Sequence, residues 1–156
     1  MMQKTLSKEI SFQGNALHTG EVVKVKLIPS AENTGIVFVR EDLECAEIPA
    51  LAKYVNRTDR QTILQKGEAS VGTVEHLMAS LYALGIDNLR IKLNGSEIPI
   101  LDGSAAPLVD LILEAGIEEQ SIEKNFYVLE EAFTFKDEDG SEIMALPSDE
   151  FEVSAL

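Results

Sequence analysis

The 156-residue chain carries 27 acidic against 13 basic side chains, a formal net charge of −14, and 45% of its positions are hydrophobic. That length and apolar content build one packed core, or one and part of a second, and argue against intrinsic disorder. The acidic balance repels phosphate backbones and anionic lipid headgroups, so neither nucleic-acid binding nor stable membrane insertion is expected.

Cys45 is the sole cysteine, which excludes an internal disulfide and a thiolate cluster. The opening residues Met1 to Ile10 hold no apolar run of signal-peptide length, and a reducing, cytoplasmic setting is expected. Charge is unevenly spread. Residues 114–156 have a net charge of −11 and residues 1–113 only −3, so the organisation is expected to change near residue 116.

In chain order, Thr5 to Phe12 reads as a weak strand. Val23, Val25 and Leu27 then alternate with Lys24 and Lys26, the period of a half-buried strand. Ile36 to Arg40 and Thr62 to Gln65 are further strand candidates, set apart by turn signals at Pro29-Ser30, Asn33-Thr34-Gly35 and Lys66-Gly67. A helix follows, with Thr73 as its N-cap, Val74, Leu77, Met78 and Leu81 on one face, and Gly85 at its end. Leu89, Ile91 and Leu93 oppose Arg90 and Lys92 in another strand. A second helix begins at Pro107, turns Leu108, Leu111, Ile112 and Ala115 inward, and stops at Gly116.

These elements predict an α+β fold, a mainly antiparallel sheet with two helices packed on one face. Beyond residue 125, strands are expected at Phe126 to Leu129, Ala132 to Lys136 and Ile143 to Leu146, with a hairpin turn at Asp137 to Gly140. Leu146-Pro147-Ser148-Asp149-Glu150 echoes Ile28-Pro29-Ser30-Ala31-Glu32, which points to a second copy of the fold beginning here. A further strand near Phe151 to Leu156 breaks off at the chain end and reads as a truncation.

Glu75-His76 in the first turn of the first helix is the leading candidate for chemistry. A helix N-terminus favours the neutral imidazole that ligates metals, and the neighbouring carboxylate lies about 100° further round the helix, placed to act on water rather than on the metal. Spacing alone favours the plainer reading, in which Glu75 complements the helix dipole and His76 is a half-exposed surface residue. His18 lies in the turn Ala16-Leu17-His18-Thr19-Gly20, and Asp102-Gly103-Ser104 precedes the second helix as a loop or a simple turn. Arg57, Asp59 and Arg60 form a charged loop, solvated by default.

Together, Ala-Leu-His-Thr-Gly (16–20), Thr-Val-Glu-His-Leu-Met-Ala-Ser-Leu (73–81), Leu-Gly-Ile-Asp-Asn (84–88) and Glu-Ile-Pro-Ile-Leu-Asp-Gly-Ser-Ala-Ala-Pro (97–107) resemble the bacterial UDP-3-O-acyl-N-acetylglucosamine deacetylases. These are the zinc amidases of lipid A biosynthesis. The resemblance runs in order from Thr5 to Gly116. It implies two similar α+β domains: a first at residues 1–120, a linker at 121–125 and a truncated start of a second at 126–156.

The resemblance further implies a Zn2+ cofactor with His76 as one ligand. Glu75 is implied as general base for water attacking the acetamide carbonyl of a small-molecule UDP-acylglucosamine, and His18 and Asp102 as substrate-binding or supporting residues. The family's other zinc ligands, a His and an Asp one helical turn apart, belong to its second domain, with a second catalytic His and a substrate-contacting Lys. No histidine follows His76 here, so this chain is expected to be inactive alone, with its exposed partial domain favouring homo-oligomers. The competing expectation is a non-enzymatic acidic interaction domain derived from the same fold.

Overall fold

Pairing between the first strand and the tenth closes the larger part of the molecule. In the computed structural model, which describes residues 1–155, the chain divides into two units, residues 1–123 and 124–156. The larger unit opens with β1 (Met2–Leu6), β2 (Ile10–Asn15), β3 (Val22–Pro29), β4 (Ile36–Arg40) and β5 (Ala46–Pro49). A single 3-10 turn at Ala52–Tyr54 leads to β6 (Val55–Arg57), β7 (Ile63–Lys66) and β8 (Ala69–Val71). Then come α1 (Glu75–Leu84), β9 (Leu89–Leu93), α2 (Ala106–Ala115) and β10 (Ile117–Glu123).

The main sheet has the order β2-β3-β9-β4-β5 and is antiparallel except between β4 and β9, which run parallel. Alternation dictates its inner face. Val25 pairs with Leu93 and Leu27 with Ile91 in register, and Phe38 of β4 lies beside both Ile91 and Ile48. These side chains form one buried cluster with Leu77 and Leu81 of α1 and Leu108, Ile112 and Ala115 of α2, so both helices cover one face of the sheet as expected. On the outer face Arg90 and Glu47 form an ion pair across β4, and the long stems in register with the buried Val37 and Val39 shield them from water.

Gly85 closes α1 with φ 71, its N–H shared between the carbonyls of Leu81 and Tyr82, the left-handed C-terminal geometry that glycine adopts without penalty. Among the described residues no helix is long and apolar enough to cross a membrane.

Several expectations are corrected. Thr5 to Phe12 is two strands, because the chain changes sheets at Ser7-Lys8-Glu9: β1 pairs with β10 and β2 with β3. Residues 121–123 are not linker but the end of β10. Thr73 does not cap α1. Its backbone is left-handed at φ 55, and Val74 occupies the cap position with no side-chain cap bond.

The smaller unit holds a two-stranded antiparallel hairpin, β11 (Phe133–Lys136) and β12 (Glu142–Ala145). The turn between them closes with the Gly140 N–H donating to the Asp137 carbonyl at 3.1 Å, the hairpin turn read from the sequence. Phe126 to Leu129 is irregular; among the described residues no strand pairs with it, and an unpaired extended run is not held as a strand. The strand expected at the chain end is absent from Phe151 to Ala155, and Leu156 lies outside the described residues.

Candidate functional site

Three loops meet the start of α1: residues 16–20 after β2, 58–62 after β6, and 94–105 after β9. Glu75 and His76 are the first two residues of the helix and both are half-buried. The Glu75 carboxylate lies in the first turn, where the helix dipole favours negative charge, and its Oε2 accepts a 3.0 Å hydrogen bond from the Thr62 N–H. That bond ties the 58–62 loop to α1. The His76 carbonyl accepts from Ser80 Oγ at 2.8 Å, while none of the hydrogen bonds among the described residues involves its ring.

Sequence reading missed the residue that joins these parts. Glu97 is 2% exposed, and its carboxylate accepts from the N–H groups of Leu17, His18 and Thr19, each at 3.1 Å, and from Thr73 Oγ1 at 2.8 Å. Burial pushes its pKa up. The hydrogen bonds from Thr73, His18 and Thr19 and the charge on His18 act the other way, and together hold the carboxyl below its usual range. The visible signal was a lone acid before the apolar run Ile98-Pro99-Ile100, where an unpaired carboxylate would be costly to bury.

His18 is therefore brought to the entry of α1 by way of Glu97 and Thr73. Its side chain is exposed and lines an open cleft of about 660 Å3 with Arg57, Thr58, Asp59, Arg60 and Gln61. A smaller cleft of about 130 Å3 adjoins it, bounded by His18, Gln61, Ser96 and Glu97 among others. In the same loop Arg57 Nε donates to Asp59 Oδ2 at 2.9 Å, so one positive charge of the cleft is already balanced.

Asp102 is not drawn into this cluster. It is exposed, and its Oδ1 accepts from both the N–H and Oγ of Ser104, each at 2.9 Å, which lowers its pKa. Ser104 Oγ in turn accepts from the Ala106 N–H at 3.2 Å, so this segment is a turn that starts α2, the plainer of its two readings.

Among the described residues no group of three or more His, Cys, Asp or Glu side chains is arranged to hold a metal ion. A catalytic zinc takes three protein ligands and leaves a position for water. His76, half-buried with a ring uncommitted to the described residues, fits as one of the three.

A family model described as UDP-3-O-acyl N-acetylglycosamine deacetylase matches residues 3–156. A UDP-3-O-acyl-N-acetylglucosamine deacetylase of Myxococcus xanthus is 48% identical over 153 residues, covering 97% of this chain and 48% of that protein. One of Coxiella burnetii is 42% identical, covering 97% of this chain and 50% of the relative. A protein of Chlorobaculum tepidum named "Bifunctional enzyme LpxC/FabZ" is 44% identical over 156 residues, 99% of this chain but 33% of its own length. The chain thus spans half or less of the length of these curated relatives.

Proposed function

This chain belongs to the UDP-3-O-acyl N-acetylglycosamine deacetylase family, and we propose that it supplies the first half of a zinc-dependent deacetylase of lipid A biosynthesis acting on a UDP-acylglucosamine in the cytoplasm. The observation that carries this reading is the Glu75-His76 pair at the start of α1, where one carboxylate oxygen is anchored by Thr62 and the imidazole enters none of the hydrogen bonds among the described residues. His76 would hold the zinc together with ligands from outside this chain. Bound there, the metal would supply Lewis-acid chemistry toward water and the acetamide carbonyl.

Glu75 takes the proton from water as its oxygen bonds to the acetamide carbon. The C–N bond then breaks, the amine receives a proton and acetate departs. His18, on its Glu97-held loop, supports the substrate, and Asp102 supports the site only indirectly, by holding with Ser104 the turn that starts α2. In this reading the first domain, expected over residues 1–120, runs on to the end of β10 at Glu123, and residues 126–156 begin a second. Phe133, Phe135, Ile143 and Met144, all exposed, favour self-association of the isolated chain.

Elemental analysis and turnover assays test the proposal. In a two-domain parent protein, Glu75→Ala keeps zinc and loses ~10²–10⁴-fold in turnover, whereas His76→Ala loses zinc; the reverse pattern overturns the assignment. The 156-residue chain alone turns over no substrate and holds little zinc. Near-stoichiometric zinc that depends on His76 in this chain overturns the inactive-fragment part of the reading. A zinc-free parent with a protein partner favours an interaction module instead.

A further inference from the structure

We infer that Glu97 is a positioning residue, whose carboxylate clamps the 16–20 loop, and His18 with it, to Thr73 directly ahead of Glu75 and His76. The inference rests on the reading of Glu75-His76 as the catalytic pair, and the clamp itself is visible without it.

Three successive N–H groups, those of Leu17, His18 and Thr19, point at one carboxylate from a loop about eighty residues away in sequence. Successive amides arranged this way form an anion-binding concavity, and here the anion is a side chain of the protein itself. One oxygen, Oε1, receives Leu17, His18 and Thr73, while Oε2 receives His18 and Thr19. The loop's other described backbone hydrogen bonds, Ala16 N–H to the Glu21 carbonyl and Gly20 N–H to the Ala16 carbonyl, close the loop upon itself. Thr19 Oγ1 also accepts from the neighbouring Glu21 N–H at 3.3 Å, so among the described residues Glu97 alone hydrogen-bonds the tip at 17–19 to a part of the unit distant in sequence.

The opposite end of the clamp is strained. Thr73 holds φ 55, a region costly for a β-branched residue, and this conformation accompanies the 2.8 Å bond from its hydroxyl to Oε1. Gly72 fixes the same segment, donating its N–H to the Ser96 carbonyl at 2.8 Å and accepting from the Ile98 N–H at 3.0 Å. One carboxylate thus sets where His18 stands relative to the first turn of α1 without reaching the reacting atoms.

The clamp is read by amide hydrogen exchange on the 156-residue chain. In Glu97→Gln the side-chain NH2 faces donors that need an acceptor, and exchange at Leu17, His18 and Thr19 accelerates ~10–100-fold, the range for hydrogen bonds to a charged group. Amides of β3 and β9 stay within about twofold of the parent chain. Should Glu97→Gln unfold the chain, Thr73→Val and Thr73→Ser provide the reading: Val accelerates the loop amides and Ser restores them.

In the two-domain protein, Glu97→Gln lowers kcat ~10-fold or more while KM and zinc content hold, since only orientation is lost. Loop amides indifferent to both Glu97→Gln and Thr73→Val overturn the clamp, and unchanged kcat in Glu97→Gln overturns the positioning role. Zinc content and turnover that ignore His76→Ala and Glu75→Ala overturn the catalytic reading alone and leave the exchange result standing.

Discussion

Thr73 donates its hydroxyl to Glu97 at 2.8 Å from a left-handed backbone of φ 55, so a strained residue satisfies a carboxylate that is only 2% exposed. The two features respond differently to substitution. Thr73→Ser keeps the donor and is close to neutral. Thr73→Gly relieves the backbone and loses the donor, whereas Thr73→Val loses the donor and keeps the strain, at a cost of ~1.5–3 kcal/mol for a bond to a charged group. Urea unfolding of the full chain should rank stability as Ser above Gly above Val, and a Val variant as stable as the parent would refute this account.

Acid sensitivity follows from the same carboxylate. The pKa of Glu97 is lowered in the folded state; burial opposes this, but the Thr73, His18 and Thr19 hydrogen bonds and the His18 charge outweigh it. A lowered folded pKa means the stabilisation is complete above the unfolded value of about 4.3 and disappears as pH falls through the folded value. Asp42 is lowered too, chiefly by its hydrogen bond from Arg40, and contributes equally with or without Glu97. The gap in urea midpoint between the parent chain and Glu97→Gln should therefore be wide at about pH 6 and shrink as pH falls below the unfolded value of about 4.3; a gap that stays constant would show that the charge is immaterial.

Gly95 gives a packing prediction in the loop that carries Glu97. A Cβ built there falls 2.8 Å from Val23 Cγ2, on a side chain that is 1% exposed. Gly95→Ala should cost ~1–3 kcal/mol as overpacking, and much of that should return when Val23→Ala is added. A double-mutant cycle on the full chain reads the coupling, and strictly additive effects would rule out the contact as its cause.

Where one face is apolar and the other charged, the sequence already displays the fold. β3 and β9 alternate without interruption, β4 matches its expected limits from Ile36 to Arg40, and Gly85 and Gly116 mark the ends of both helices. β10 escaped notice because Ile-Glu-Glu-Gln-Ser-Ile-Glu has no period-two apolar pattern; it is a strand because its backbone pairs with β1, Thr5 opposite Glu118 and Leu6 opposite Ile117. β6 is exposed at all three positions and offers no pattern either.

The site was legible in its motifs and not in its wiring. Glu75 and His76 stand out as neighbours at a helix start, but Glu97 becomes significant only when the fold carries it to Leu17, His18, Thr19 and Thr73. Arg40 illustrates the same difficulty. It ends a strand like any surface cation, yet it is buried, paired with both Asp42 oxygens at 2.9 and 2.7 Å and bonded to the Ser70 carbonyl. Partners distant in sequence leave no periodic trace.

The pairing of β1 with β10 has a consequence in time. Residues Met2 to Leu6 find their strand partner only at Ile117 to Glu123. At ribosomal rates of ~5–20 residues per second, roughly 6–24 s separate the synthesis of the two strands. During that interval Leu6, which ends fully buried, belongs to a strand whose ladder partner has not been made. The nascent chain must hold this strand in waiting, and it is the late arrival of an acidic, otherwise featureless segment that lets the larger unit close.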